Sequence, residues 1–135
     1  MQRVKERLQS GREILERLSN LATYNLQGTK ADLEQITLPR PLPDDYFYVA
    51  TDERSPEGLQ AIRDAGAVLL MDLLTMEDRR DFDWPLIVTD VMSLVEQVVL
   101  FHSVSFYGHA MSSLAGVITN MRGSRGADPR TMFLE

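Results

Sequence analysis

Near the N-terminus, apolar residues recur at the spacing of an amphipathic helix. Over residues 3–24 one stripe is apolar and the opposite face carries Arg, Lys and Glu; the stripe consists of Val4, Leu8, Leu15, Leu18, Leu21 and Ala22. The pattern predicts a helix that covers a sheet with Leu8, Leu15 and Leu18. A helix that binds a partner, or a second copy of this chain, is the alternative, although no heptad is sustained.

Three prolines follow this helix. The segment ITLPRPLPDD, residues 36–45, predicts a stiff extended connection, because proline fixes its own backbone angle and has no N–H to donate. The sequence therefore divides into residues 1–45, a helix with a Pro-rich connection, and residues 46–135, which form a domain.

Beyond residue 45, short apolar runs alternate with helical patterns. The apolar runs predict strands at YFYVAT (46–51), AVLLM (67–71) and VSFYG (104–108). Strands that alternate with helices at this spacing indicate βαβ units. The predicted fold class is therefore α/β, with one small sheet of three parallel strands.

Start and stop signals place the helices between these strands. Ser55 is the predicted N-cap of a helix over 56–65, Pro56 occupies its first position, and Gly66 ends it. Thr75 caps a short charged helix in the same way. The later helices are predicted over 75–82, 89–102 and 113–122.

The composition excludes several classes of protein. The chain has 135 residues, 44% of them hydrophobic, which is enough for one domain with a core. The net charge of −6 argues against nucleic-acid binding through phosphate contacts. No apolar stretch approaches the roughly 18 residues of a membrane span, and we expect no signal peptide in this chain. With no cysteine and only His102 and His109 as histidines, no metal site is predicted.

Polar residues follow two of the predicted strands at their carboxyl ends, where open parallel sheets bind ligands. Thr51 ends the first strand and Asp52 follows it, and Ser112 and Ser113 lie in a small-residue turn after the third. A helix that begins at these serines offers unpaired N–H groups and a positive dipole end to an anion.

Other side chains could contact a nucleotide at this edge of the sheet, and each has a structural alternative. Arg122 or Arg125 could contact a phosphate as a bidentate partner, and Asp52 could accept from a ribose or a base. Equally, the serines could only cap a helix, Asp52 could belong to a solvated turn, and His109 could bond to nearby backbone. The chain has no Walker A motif, no G-x-G-x-x-G motif and no nucleophile elbow.

Two stretches of the chain resemble the GDP-fucose protein O-fucosyltransferase family. YVATDE (48–53) is similar to a strand and turn of that family's donor-binding domain, and FYGHAMSSLAGVITNMRGSRGADPRTMFL (106–134) is similar to its last conserved block. The resemblance covers about residues 46–134. It implies a Rossmann-like three-layer domain, like the C-terminal half of a two-domain glycosyltransferase of GT-B type, with the GDP-sugar in the cleft between domains.

The resemblance also implies roles for individual residues. Ser112 and Ser113, with the amides that follow them, would hold the β-phosphate of GDP-fucose. Thr51 and Asp52 would lie near the nucleotide, and Arg122 would support the helix or the phosphates. The implied partners are a GDP-sugar and a protein or glycan acceptor, without a metal or cofactor. The family works in the secretory pathway.

Two departures from the family pattern change the expected activity. Leu114, which the resemblance also places among the nucleotide-binding residues, stands where the family usually has phenylalanine, and leucine cannot stack on a guanine. The chain also has no His-x-Arg motif, whose arginine stabilises the departing diphosphate in the family. We therefore expect this chain alone to be inactive, as the C-terminal part of a longer enzyme or a shortened relative of one. A non-catalytic α/β domain that binds a nucleotide or a protein is the alternative.

Overall fold

Helices and short strands alternate along the part of the chain that the computed structural model describes, which is residues 2–19, 42, 44–82 and 89–135. The chain divides into two compact units. Asp44–Val99 form the first, and Gln2–Pro43 with Leu100–Glu135 form the second.

The first unit contains a βαβ element. Strand β1 (Phe47–Tyr48) runs parallel to β2 (Ala67–Val68), and helix α2 (Pro56–Asp64) connects them. The start of α2 agrees with its sequence signals, because the Ser55 hydroxyl accepts a hydrogen bond from the Gly58 N–H at 3.1 Å. Gly66, at φ 90°, ends the helix in the left-handed region that glycine tolerates best. The predicted helix over 56–65 is confirmed to within one residue.

The second predicted strand, AVLLM at 67–71, is mostly wrong. The chain leaves the strand after Val68 and turns into a short helix, α3 (Leu70–Leu73). Asp72 explains the change, because its carboxylate accepts from the Leu69 N–H at 3.1 Å and caps this helix. The same carboxylate receives two hydrogen bonds from Arg63 Nε at 3.1 Å and one from its Nη2 at 2.9 Å. A polar residue beyond the apolar run therefore decides its structure.

The last helices of this unit lie where the sequence predicts them. Helix α4 (Met76–Phe82) begins with a reciprocal cap: the Thr75 hydroxyl accepts from the Asp78 N–H at 3.1 Å, and the Asp78 carboxylate accepts from the Thr75 N–H at 2.8 Å. Helix α5 (Thr89–His102) follows. Its last three residues belong to the second unit.

The second unit contains another βαβ element. Strand β3 (Phe106–Gly108) runs parallel to β4 (Met132–Leu134), with Phe106 opposite Met132. Helix α6 (Ser113–Arg125) and a 3-10 helix (Pro129–Thr131) connect the two strands. The core of the unit consists of Phe106, Ala115 and Ile118, with Leu100 and Leu114 packed against it.

The α/β class is confirmed, but the single three-stranded sheet is wrong. The described residues form two parallel sheets of two strands each, in which β1 pairs with β2 and β3 pairs with β4. Strand β4 was missed because three residues after a proline turn carry too little local signal. Once β4 is present, β3 has its own partner within the same unit.

The N-terminal helix α1 (Gln2–Ser19) packs against β3 and the 3-10 helix. Leu8 and Leu15 on its apolar stripe are half-buried. At Gly11 a Cβ atom would lie 2.6 Å from the Ser105 hydroxyl oxygen, so the glycine lets the helix approach closely. The predicted continuation over 20–24, the side chain of Leu18 and most of the Pro-rich connection lie outside the described residues. No helix in the described ranges is long and apolar enough to cross a membrane.

Candidate functional site

The six residues predicted to bind a nucleotide fall in different parts of the chain. Thr51 and Asp52 belong to the first unit, three and four residues after the end of β1. The other four belong to α6 or its cap in the second unit; they are Ser112, Ser113, Leu114 and Arg122.

The loop after β1 is held by its own side chains. The Thr51 hydroxyl accepts from the Glu53 N–H at 3.1 Å. The Glu53 carboxylate accepts from the N–H groups of Arg54 and Ser55, both at 2.8 Å, and these bonds lower its pKa. Gly58 makes room for it, since a Cβ there would lie 2.6 Å from the Glu53 carboxyl carbon.

Glu53 therefore occupies the amides that lead into α2. An external phosphate at those amides would have to displace this carboxylate. Asp52 next to it is exposed, which leaves its carboxylate accessible as an acceptor. The sequence predicts either an Asp52 that accepts from a ribose or a base, or a solvated turn, and the role of Glu53 was missed; the glycine three residues after Ser55 was the available signal.

The turn between β3 and α6 is ordered by hydrogen bonds that backbone N–H groups donate. His109 contributes twice, because its carbonyl accepts from the Ser112 N–H at 2.9 Å and its Nδ1 accepts from the Met111 N–H at 3.2 Å. The Ser112 hydroxyl accepts from the Ala115 N–H at 3.3 Å, which makes Ser112 the N-cap. Ser113 is the first residue of α6 and is exposed. The two serines thus have different surroundings: one caps the helix, and the other faces solvent.

Small residues in this segment serve the packing of β3 on α6. A Cβ at Gly108 would lie 2.7 Å from the Ala115 Cβ and 2.8 Å from the Phe106 ring. Leu114 is half-buried and packs against the cluster of Phe106, Ala115 and Ile118. The strand and helix approach each other because these positions are small, and Leu114 belongs to the core.

Arg122 is buried, with 1% of its surface exposed. Its Nη1 donates to the Phe101 carbonyl oxygen at 3.2 Å, to the Ser103 carbonyl oxygen, and to Ser103 Oγ at 3.0 Å. Its Nη2 donates to Thr131 Oγ1 at 3.3 Å and to the Val104 carbonyl oxygen at 3.4 Å. Carbonyls at a helix end have no later helical N–H to bond, so the guanidinium satisfies acceptors at the end of α5.

These contacts favour one of the two roles that the resemblance implies for Arg122. The side chain supports α6 by tying it to the end of α5 and to the 3-10 helix. A phosphate contact would require the guanidinium to leave these oxygens. Arg125, the other candidate, lies with its Nη1 3.1 Å from His102 Nδ1 and with its guanidinium carbon 5.0 Å from the centre of the Phe101 ring. Both arginines therefore contact the C-terminal end of α5.

An ion-pair cluster on the second unit was not foreseen. Glu135 accepts from Arg7 Nη2 at 2.6 Å and from the Tyr107 hydroxyl at 2.8 Å. The two hydrogen bonds lower the pKa of Glu135, and the bond to Glu135 raises the pKa of Tyr107. A depression of about 450 Å³ beside it is lined by Arg3, Glu6, Arg7, Ser10 and Glu135. Its arginines and carboxylates balance in charge, which gives no preference for an anion or a cation.

Tyr48 and Glu96 form a half-buried pair in the first unit, where the hydroxyl donates to Glu96 Oε1 at 3.2 Å. Burial raises the pKa of Glu96 and the hydrogen bond from Tyr48 partly opposes it. Burial, and then the charge of Glu96, raises the pKa of Tyr48. The pair therefore holds a partly desolvated carboxylate at neutral pH.

Glu96→Gln is expected to raise stability at neutral pH, by less than about 1 kcal/mol because the site is half-exposed. Glutamine keeps the oxygen that accepts from Tyr48 but has no charge to desolvate. A carboxyl whose pKa is raised on folding stabilises below its unfolded pKa and loses that contribution as the pH rises through the folded pKa. The gain in Tm should therefore be largest near pH 7 and shrink toward the ordinary carboxyl value of 4.5.

Thermal unfolding at a series of pH values measures this difference. Glu77→Gln, on the exposed surface of α4, is the matched control and should change Tm little at any pH. A variant Glu96→Gln that melts below the parent at pH 7, or whose difference does not vary with pH, would contradict the assignment.

Among the described residues, no group of three or more His, Cys, Asp or Glu side chains could hold a metal ion. Comparison with family models, with curated proteins and with solved structures found no match to this chain.

Proposed function

We propose that the chain binds the diphosphate of a nucleotide sugar of the GDP-fucose type at the start of α6. The observation that carries the proposal is the arrangement after β3, where a capped turn leads to an exposed Ser113 at the first position of a 13-residue helix. N–H groups in the first turn of a helix attract anions, and a serine hydroxyl adds a donor. The resemblance to the O-fucosyltransferase family is the reason for proposing a GDP-sugar as the ligand.

The roles within this site differ from residue to residue. Ser112 fixes the start of α6, because its hydroxyl is already the acceptor for the Ala115 N–H. Ser113 donates its hydroxyl to the phosphate. Arg122 acts from the other end of the helix by holding it in place. In this proposal the two βαβ elements are parts of Rossmann-like architecture, and the roles of Thr51 and Asp52 stay predictions from the resemblance.

We further propose that the isolated chain does not transfer the sugar. Transfer breaks the bond between the anomeric carbon and a β-phosphate oxygen, and negative charge develops on the departing diphosphate. That charge needs a cation in place. The chain lacks the family's His-x-Arg motif, and both terminal nitrogens of Arg122 donate to protein oxygens. Binding without transfer is what this set of residues supports.

Ser113→Ala is expected to weaken GDP binding about tenfold with little change in Tm, since a hydrogen bond to a charged group contributes roughly 1.5–3 kcal/mol. Ser112→Ala is expected to cost about 1 kcal/mol of stability through loss of the cap. Titration calorimetry with GDP measures the first effect, and thermal unfolding without ligand measures the second.

Ser124→Ala at the far end of α6 is the matched control and should change neither property strongly. Guanosine, which lacks the diphosphate, should bind parent and Ser113→Ala alike. If Ser113→Ala binds GDP as the parent does, the serine pair only starts the helix and the proposed site is wrong. Release of fucose from GDP-fucose by the purified chain would contradict the second proposal alone.

A further inference from the structure

Two methionine side chains are open to solvent to an unusual degree for an apolar residue. Met111 is 87% exposed and Met76 is 78% exposed, well above the 42% of Met71. The other methionines in the described ranges are half-buried; they are Met92, Met121 and Met132. Oxidants in solution attack the thioether sulfur, so exposure sorts these residues by their access to an oxidant.

The position of Met111 in the sequence explains its exposure. Met111 directly precedes Ser112, the N-cap of α6. An apolar residue at this position commonly packs on the fourth residue of the helix. In α6 the fourth residue is Gly116, which offers no side chain for this contact. The usual packing partner at a helix start is therefore missing from the sequence.

Met76 lies on the solvent-facing side of α4. It is the first residue of that helix, and Arg80 four residues later is exposed as well. Residues four apart share one side of a helix, so this side of α4 faces water. Since Met76 and Met111 bury little apolar surface, an oxygen atom added to either sulfur removes little stabilising contact.

The half-buried methionines are in a different position. Met132 lies on β4 opposite Phe106, a core residue that is 4% exposed. A sulfoxide oxygen at a half-buried position loses water and then needs a hydrogen-bond donor from the protein. Partial burial also shields the sulfur from an oxidant. Oxidation there is expected to be slower, and to destabilise the fold once it occurs.

We propose that Met76 and Met111 are sites of reversible oxidation by hydroperoxides, and that the fold tolerates the oxidation of both. The sulfur lone pair attacks one oxygen of hydrogen peroxide, the O–O bond breaks, and the second oxygen leaves as water. A thiol-dependent methionine sulfoxide reductase reverses the step: two thiols become a disulfide, and the sulfoxide oxygen leaves as water. The chain has no cysteine, so no thiol of its own competes for the peroxide. This inference is independent of the proposed nucleotide site.

Peptide mapping by mass spectrometry after brief treatment with hydrogen peroxide measures sulfoxide formation at each methionine. The same treatment in urea, with the chain unfolded, gives each residue its own reference rate. In the folded chain, Met76 and Met111 should oxidise within about twofold of their reference rates, and Met132 should be slowed about tenfold or more. Met71 should fall between them.

Thermal unfolding tests whether the fold tolerates the two sulfoxides. A chain oxidised only at Met76 and Met111 should have a Tm within about 2 °C of the untreated chain. Reductase with dithiothreitol should remove both oxygen atoms. The double variant Met76→Leu with Met111→Leu should keep the Tm and lose the fast oxidation. Met121→Leu is the matched control and should keep the fast oxidation.

Three results would overturn the proposal. The first is protection of Met76 or Met111 in the folded chain to the degree expected of Met132. The second is oxidation of Met132 at its unfolded rate, because exposure would then not decide which sulfurs react. The third is a fall in Tm of several degrees when only the two exposed residues are oxidised, which would show that the fold does not tolerate the change.

Discussion

Replacing Arg122 by alanine is expected to destabilise the chain by about 3–5 kcal/mol, a large part of the total stability of a domain of this size. The substitution removes donors from the Ser103 carbonyl and hydroxyl and from the Thr131 hydroxyl. Buried acceptors that lose their partner cost about 1–3 kcal/mol each. Urea denaturation followed by circular dichroism measures the loss.

Two further variants separate the geometry of Arg122 from its charge. Arg122→Lys should recover less than half of the loss, because one ammonium group cannot donate to both Ser103 and Thr131 as the guanidinium fork does. Arg125→Ala, one turn of helix away and half-buried, is the control and should cost only about 1 kcal/mol. An Arg122→Ala variant within 1 kcal/mol or so of the parent would contradict the structural role given to this side chain.

Gly108→Ala is expected to destabilise the second unit by about 1–3 kcal/mol, the usual cost of overpacking. The new Cβ would lie 2.7 Å from the Ala115 Cβ and 2.8 Å from the Phe106 ring, so β3 and α6 would have to move apart. The matched control is Gly116→Ala, since nothing lies within 4 Å of a Cβ at Gly116. That substitution should stabilise α6 by roughly 0.5–1 kcal/mol, because alanine is the better helix former.

The two substitutions add the same methyl group with opposite expected signs, and thermal unfolding distinguishes them directly. The double variant Gly108→Ala with Ala115→Gly removes one of the two close contacts, so the two changes should cost less together than the sum of their separate effects. If Gly108→Ala proves as stable as the parent, close approach is not the reason for glycine at this position.

Elements with strong local signals were predicted well from the sequence. The start of α2 follows from Ser55 and Pro56 alone, because capping is decided within one turn of helix. The reciprocal bonds of Thr75 and Asp78 at the start of α4 have the same local character. Such features need no knowledge of the rest of the molecule.

Predictions that depended on distant partners were less successful. The run AVLLM has no period that separates a buried strand from a buried helix, and Asp72 decided its structure from outside the run. The pairing of β3 required Met132–Leu134, a segment too short to be recognised as a strand. That β3 is a strand was predictable, but the strand it pairs with was not.

The candidate site also has features that local sequence predicts and features that depend on distant residues. The serine turn and its helix were predictable, because caps and small residues are visible in the sequence. The different roles of the two serines were not predictable, because they depend on the residue at which the helix begins. Ser112 is the cap, and Ser113 is exposed. The burial of Arg122 depends on the end of α5, about 20 residues earlier. Gly58 indicates that Glu53 accepts from the amides that precede α2, but only if the path of the loop is known.

The order of the two units along the sequence, in which Asp44–Val99 interrupt the second unit, has a consequence for synthesis of the chain. Helix α1 packs against β3 and the 3-10 helix, which the ribosome makes after the whole of Asp44–Val99. At about 5–20 residues per second, on the order of ten seconds therefore pass between the synthesis of α1 and the synthesis of β3 and the 3-10 helix. The first unit can complete its β1–β2 pairing sooner, because its strands are close in sequence. During this delay β3 and the 3-10 helix do not yet cover the stripe with Leu8 and Leu15, so α1 is a segment of the nascent chain that chaperones can bind.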